Sequence, residues 1–339
     1  MRTFARVLIF LLALVALGWC ALVLAYTIPG PPLLGQILAV AAVLAGVLGF
    51  RVLGSFSRGA ALVAAIFVGV LLWYFSLQPK QDAAWQPDVA ELPRVEIDGD
   101  RLTIHNVRNF DYRSETDFTP RWETRTYDLS KLDGVDMFFS HWSGPAIAHT
   151  IMSWSFSDGQ HLAISIETRK VEGQEYSAVA GFFRQYPIYY VVADERDVVR
   201  VRTNHRGENV WMYRLKPPRP EAARALLLDY VASINALAER PAWYNALTDN
   251  CTTSIQRHAR HLNPDANPFD WRLLENGHLP ELLYEQGRID TSLPFEELAR
   301  RSHIDARAKA ADQDPAFSAR IREPESPPAP TASPTRPAS

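Results

Sequence analysis

Ala148-His149-Thr150-Ile151-Met152-Ser153-Trp154-Ser155-Phe156-Ser157-Asp158-Gly159-Gln160-His161, continuing Leu162-Ala163-Ile164-Ser165-Ile166-Glu167-Thr168-Arg169, reads as two strands turning at Ser157-Asp158-Gly159. Even positions are apolar on both arms: Met152, Trp154 and Phe156 on the first, Leu162, Ile164 and Ile166 on the second. Partners across an antiparallel pair share a face, so even must meet even. A two-residue loop breaks that match. A three-residue loop keeps it, with Gly159 left-handed and Phe156 opposite Gln160. Counting back along both arms sets Glu167 opposite His149. The odd face then carries His149, Ser153 and Ser155 with His161, Ser165, Glu167 and Arg169. A carboxylate across from an imidazole can fix its tautomer and stabilise the imidazolium. A register slipped by two would offer Arg169 instead, a poor orienter. The plainer reading of this face is a solvated one with a Glu–Arg surface pattern.

Other short runs around the hairpin carry β-branched or aromatic residues: Arg101–Val107, Gly134–Phe139, Ile188–Val192 and Val198–Thr203. A helix follows over Glu221–Glu239, led in by Pro218 and Pro220, with Leu226, Leu227, Tyr230, Val231, Ile234 and Leu237 on one stripe. A second helix begins near Asn250 and runs to about His261. Strands followed by helices make the class α+β. His258 and His261 stand three apart on the second helix with no evident third ligand, so a solvated helix face is read there and no metal site.

Trp243 to Ser254 ends in Thr248-Asp249-Asn250-Cys251-Thr252-Thr253-Ser254. Asp249 or Asn250 is a natural N-cap, which places Cys251 in the first helical turn. There the helix dipole and unsatisfied N–H groups favour a thiolate and could hold an oxyanion. The plainer reading is an inert buried cysteine. Three hydroxyl residues directly after it argue against an apolar niche. A thiol nucleophile needs a base, usually histidine, oriented by a third group. The hairpin supplies both.

Three uncharged apolar runs, Val7–Tyr26, Leu33–Phe50 and Ala60–Leu77, are each long enough to cross a hydrocarbon core of about 30 Å. Arg2, Arg6, Arg51 and Arg58 flank them, and the first loop, Thr27–Pro32, has no charge. The positive-inside rule therefore puts the N-terminus in the cytoplasm and everything after Leu77 on the far side, the periplasm in a bacterium. Signal-peptide cleavage after Ala25 is the alternative, but the apolar run is long for that role and two more spans follow. The expected organisation is a three-helix anchor over residues 1–77, an α+β domain over 78–306 and a disordered Pro/Ala/Ser-rich tail over 307–339.

Of 339 residues only Cys20 and Cys251 are cysteine, which excludes a disulfide scaffold and a Cys₄ metal cluster. With 35 basic and 38 acidic residues there is no global basic field for nucleic acid. No nucleophile elbow, Walker loop, dinucleotide fingerprint or H-E-x-x-H is present, and no cofactor is expected. Cys20 falls inside a span, leaving Cys251 as the sole thiol of the exported domain.

Five segments in order resemble the Lnb N-terminal periplasmic domain family: Asn106-Val107-Arg108-Asn109-Phe110-Asp111-Tyr112-Arg113, Ala148-His149-Thr150, Ser165-Ile166-Glu167-Thr168-Arg169, Gly181-Phe182-Phe183-Arg184-Gln185-Tyr186 and Thr248-Asp249-Asn250-Cys251-Thr252-Thr253. The resemblance covers roughly Arg94 to Leu283. It implies a permuted papain-like (NlpC-type) domain, histidine strand first and Asn-Cys helix later, and a bacterial inner-membrane enzyme. The activity implied is acylation of a lipoprotein N-terminus with an acyl chain from phospholipid. Related acyltransferases such as lecithin:retinol acyltransferase carry two histidines about as far apart as His149 and His161. Here the turn separates those two by about 20 Å or more along the strand, so Glu167 ranks above His161 as the orienting group.

The expected site is thus Cys251 as nucleophile, His149 as base and Glu167 as orienter, with Asn250 beside the oxyanion. Arg108, Arg113, Arg169 and Arg184 are candidates for phosphate or carboxylate contacts, with a structural ion pair as the rival role for each. The expected partners are a phospholipid acyl donor, a lipoprotein or peptide acceptor, and the membrane. The rivals are a cysteine peptidase or amidase on cell-wall peptide and a membrane-tethered binding module without turnover.

Overall fold

A computed structural model of the chain describes residues 2–216, 221–246, 248–259 and 270–324. The chain divides into two compact units, the first made of Met1–Ala90, Glu167–Tyr189 and Ala236–Thr253, the second of Glu91–Ile166, Tyr190–Asn235 and Ser254–Ser339.

Three helices, α1 (Arg2–Thr27), α2 (Pro32–Val52) and α3 (Phe56–Ser76), open the first unit, and all three are long and apolar enough to cross a membrane. Small residues let them approach closely: a Cβ added to Gly35 would lie 2.7 Å from the Leu24 carbonyl oxygen, and one on Gly46 2.7 Å from the Leu17 side chain. Leu12, Val15, Val40 and Leu72 stay exposed on the outer surface, as lipid-facing positions do. Cys20 is buried with Val23, Val70 and Phe183. Phe183 comes from the distant Gly181–Tyr186 segment, and its ring stacks on Tyr26 at 5.5 Å. The last carbonyls of a helix lack intrahelical donors. At the end of α3, Arg184 Nη1 donates to the carbonyls of Tyr74 (2.7 Å) and Leu77 (3.3 Å), and Trp243 Nε1 donates to Leu77 at 3.2 Å.

The second unit is built on an eight-stranded mixed sheet. Its strands are β1 (Arg94–Asp98), β2 (Arg101–Arg108), β5 (Trp122–Asp128), β6 (Leu132–His141), β7 (His149–Phe156), β8 (His161–Thr168), β9 (Ile188–Ala193) and β10 (Asn209–Arg214). The two-residue strands β3 (Asp111–Tyr112) and β4 (Phe118–Thr119) pair separately. The order is β1-β2-β9-β8-β7-β6-β10 with β5 also on β2; β2 and β9 run parallel. The remaining helices are α4 (Glu195–Val198), α5 (Ala222–Glu239), α6 (Cys251–Ala259), α7 (Leu279–Glu285), α8 (Phe295–Ser302), α9 (Asp305–Ala310) and α10 (Phe317–Arg320). This is the α+β class the strand-then-helix order predicts, after three long apolar helices.

The hairpin has the expected register. Ile151 pairs with Ser165 and Ser155 with His161, Phe156 N donates to Gln160 O at 3.0 Å, and Gly159 has φ +86°. Its even face packs under α5: Trp154 Nε1 donates to the Ala223 carbonyl at 3.1 Å, and its ring meets Tyr230 edge-on at 5.1 Å. The odd face is not solvated. Ser153 and Ser155 lie beneath a charged layer in which Arg322 bonds both Asp136 (2.7 Å) and Glu195 (2.6 Å), while Ser153 donates to Glu195 at 2.6 Å. Arg214 joins Asp136 to Ser155.

Two segments depart from expectation. Val198–Thr203 is not a strand but the end of α4 followed by a π-helical turn, Val201–His205. Asp194 caps α4 by accepting from Arg196 N at 2.8 Å, and Val198, Val199 and Val201 are all buried. A short valine run signals burial before it signals strand. The packed chain also continues past Ala306. α9 and α10 cover the second unit, Phe317 and Ile321 are fully buried, and Arg322 completes the charged layer. Residues 325–339, the rest of the expected tail, lie outside the described residues.

Candidate functional site

His149 opens β7, a strand buried along its whole length. Its Nε2 lies 2.6 Å from Ser165 Oγ. On the other side it pairs in register with Ser140 of β6. The loop before it is clamped by Asn276, whose Oδ1 accepts from Ala148 N at 2.9 Å and whose Nδ2 donates to Ala148 O at 2.5 Å. Gly277 N donates to Ala146 O at 3.0 Å, and a Cβ at Gly277 would sit 1.8 Å from the Pro145 carbonyl. The adjacent Asn276-Gly277 therefore fixes the entry to the histidine strand. Sequence reasoning missed both residues; the Asn-Gly turn signal was their only trace. Ser165 was placed on the His149 face but given no role.

Cys251 is the first residue of α6, as the N-cap reading predicts. The cap is Asn250: its Oδ1 accepts from Thr253 N at 2.9 Å, and Thr253 Oγ1 accepts from Asn250 N at 2.9 Å. This reciprocal pair is a capping box with threonine in the place of Glu. Asn250 Nδ2 donates to Ala246 O at 2.8 Å, so its side chain is committed to shaping the helix start. Ala246 N in turn donates to Gly181 O (3.1 Å), and Tyr244 N to Tyr186 O (2.8 Å). A Cβ on Gly181 would press on Tyr244 at 3.3 Å. The Gly181–Tyr186 segment thus holds the chain leading to Cys251 with both ends and plugs Phe183, between them, into the span cluster.

Glu167 and Cys251 belong to the first unit, His149 and Ser165 to the second. His161 stands at the turn end of β8, opposite Ser155, where burial pushes its imidazole down in competition with Glu195. Glu195 is fully buried, which raises its pKa, but Arg322 outweighs burial and holds it at about 2. His258 is not on a solvated face. It is buried on α6, with Nδ1 2.5 Å from Asp229 of α5 and Nε2 2.8 Å from the Tyr190 hydroxyl. His261 lies outside the described residues.

The arginines divide. Arg108 forms a buried bidentate pair with Asp197 (2.7 Å), which also accepts from Phe110 N. Arg113 pairs with Asp117 at the exposed β3–β4 turn. Both have the ion-pair role. Arg169 donates to the carbonyls of Val89 (3.0 Å) and Ala90 (2.6 Å) and lies 4.2 Å over the Trp85 ring. Arg184 caps α3.

A capped Asn-Cys helix start and a buried histidine hairpin thus belong to an α+β fold that follows three helices long and apolar enough to cross a membrane. Residues 118–277 match the model of the Lnb N-terminal periplasmic domain family, the family its motifs resemble, and this stretch contains the histidine hairpin, the Asn-Cys helix and the Asn-Gly clamp. No curated protein and no solved structure was found to match the chain.

Proposed function

We propose that the protein is a cysteine acyltransferase that takes an acyl chain from a phospholipid and passes it to an amine such as a lipoprotein N-terminus. His149 removes the Cys251 proton, and the thiolate attacks an ester carbonyl of the lipid. The first-turn amides of α6 stabilise the oxyanion. Collapse forms the thioester and expels lysophospholipid, whose alkoxide takes the proton back from His149. An acceptor amine then attacks the thioester, gives its proton to His149 and leaves the amide with a free thiol. With Nε2 held by Ser165, proton transfer is assigned to Nδ1, and Glu167 stabilises the imidazolium. The four arginines flanking the spans, against an uncharged first loop, support a cytoplasmic N-terminus.

The observation that carries this reading is the construction of the first unit. The stretch leading to Cys251 is hydrogen-bonded, through Tyr244 N and Ala246 N, to a segment whose Phe183 and Arg184 are anchored in the ends of the spans. A nucleophile mounted on a membrane anchor suits a substrate that resides in the bilayer.

The test supplies the purified full chain with acyl-labelled phospholipid and a diacylated Cys-peptide carrying a free amine. Label should move to the peptide amide, and Cys251→Ala should abolish transfer. Release of free fatty acid alone, or cleavage of muropeptides with no lipid turnover, would replace the transferase with a hydrolase.

A further inference from the structure

A cavity of about 950 Å³ lies within the first unit, at the ends of the spans that carry Thr27 and Leu77. Its apolar wall comes from the spans and their aromatic rim, including Leu22, Tyr26 and Trp73. Trp243, on the segment leading to Cys251, closes another side. Trp73 Nε1 donates to Thr27 Oγ1 at 2.9 Å, tying α3 to the end of α1 at the rim. Aromatic residues of this kind sit at headgroup level in a bilayer.

The polar part of the lining has a one-sided charge. Lys80, Arg169 and Arg184 all face the cavity, and no carboxylate does among the described residues that line it. Arg184 meets backbone carbonyls and the rings of Tyr74 and Phe75, and neither it nor Lys80 has a carboxylate partner among the described residues. Positive charge gathered at the edge of a low-dielectric region is costly without a counter-ion. The rim is positive and the wall apolar, with the volume of a small-molecule site.

We infer that this cavity holds one glycerophospholipid of the outer leaflet, and that it selects an anionic headgroup of the phosphatidylglycerol class over a zwitterionic one. The phosphate lies on Lys80 and Arg184, with Arg169 behind it, and an acyl chain runs down the span wall past Leu22. Phosphatidylethanolamine would bring an ammonium group towards Lys80 and Arg184 and find no carboxylate among the described residues that line the cavity. The inference names the donor for the proposed reaction and rests on that reading only for the fate of the lipid; occupancy of the cavity does not require turnover.

The test uses the full chain in detergent micelles with two photo-crosslinking lipids, a diazirine-acyl phosphatidylglycerol and its phosphatidylethanolamine counterpart, followed by peptide mapping. The expected result is preferential phosphatidylglycerol labelling of peptides covering residues 73–85 and 169–187. Lys80→Gln and Arg184→Gln should each cut that preference about fivefold, the worth of one cation at a membrane surface. Lys80 is exposed and has no side-chain hydrogen bond or ion pair among the described residues, so its variant stays folded even if loss of the α3 cap unfolds Arg184→Gln. Cys251→Ala should label like wild type. That keeps the two claims separate: phosphatidylglycerol labelling without acyl transfer would sink the transferase and leave the site standing. Equal labelling by both lipids, or an unchanged preference in Lys80→Gln, overturns the inference. Displacement of the lipid by excess inorganic phosphate would make the cavity a free-phosphate site and overturn it too.

Discussion

His149 presents Nε2 to the Ser165 hydroxyl inside a fully buried strand, a neutral hydrogen bond that helps to orient the ring. Ser165→Ala removes a hydrogen bond from a buried imidazole, a loss of about 1 kcal/mol. If His149 activates Cys251, alkylation of that thiol by iodoacetamide at neutral pH should slow roughly tenfold in Ser165→Ala, and Ser165→Thr should restore it. The sequence showed Ser165 and His149 on one face, but the ladder pairs Ser165 with Ile151, which makes the contact with His149 diagonal. A carboxylate announces an orienter by its charge; a hydroxyl does not. A second residue-scale result concerns Glu195. Its folded pKa of about 2 lies below the ordinary carboxylate value, so its ion pair stabilises fully above about pH 4.5 and is lost as pH falls towards 2. Glu195→Gln should flatten that acid limb in thermal melts of the detergent-solubilised protein. Arg322→Gln should instead cost about 3–5 kcal/mol at neutral pH, because it strands Glu195 in the interior and leaves Asp136 to Arg214 alone.

At the scale of elements, the start of α6 was legible because an N-cap is a local device: Asn250 and Thr253 lie within one turn and satisfy each other's backbone amides. Asn250→Ala should lower stability by about 1 kcal/mol, and Asn250→Ser or Asn250→Asp should recover most of it. Thiol reactivity at Cys251 should follow the same order, since a frayed first turn loses the aligned amides and dipole that favour a thiolate. The hairpin was legible for a similar reason, its register following from alternation and one left-handed glycine. What stayed hidden was decided by distant partners. His258 reads as a surface residue on its own helix and is buried only because α5 brings Asp229 to it. Val198–Thr203 reads as a strand by composition, and Asp194 makes it a capped helix. The C-terminal helices have little apolar content besides Phe317 and Ile321, and their place depends on Arg322 finding two carboxylates on other elements.

At the scale of the whole chain, the three spans do more than tether. Phe183, Arg184 and Trp243 all have their partners on α1 or α3, and they belong to the segments that hold the approach to Cys251. A fragment beginning at Gln78 should therefore expose these groups, melt at lower temperature than the full chain in the same detergent, and be alkylated more slowly at Cys251. Equal reactivity in the fragment would mean that the anchor is only an anchor. The spans themselves were plain from apolar length, and four of the five short motifs lie inside the stretch that matches the family model. The coupling between them was not plain, because it runs through an aromatic stack and three hydrogen bonds to two carbonyls that leave no pattern in sequence. The central claim is that Cys251 carries the acyl chain, and it is tested most directly by mass. The full chain is incubated with a phospholipid of known acyl composition, without acceptor, and its intact mass and peptides are measured. The account predicts a mass increase of one acyl group, mapped to the peptide containing Cys251, removed by neutral hydroxylamine and absent in Cys251→Ala and His149→Ala. An acyl adduct that persists in Cys251→Ala, or a wild-type protein that never acquires one while lipid is consumed, would contradict it.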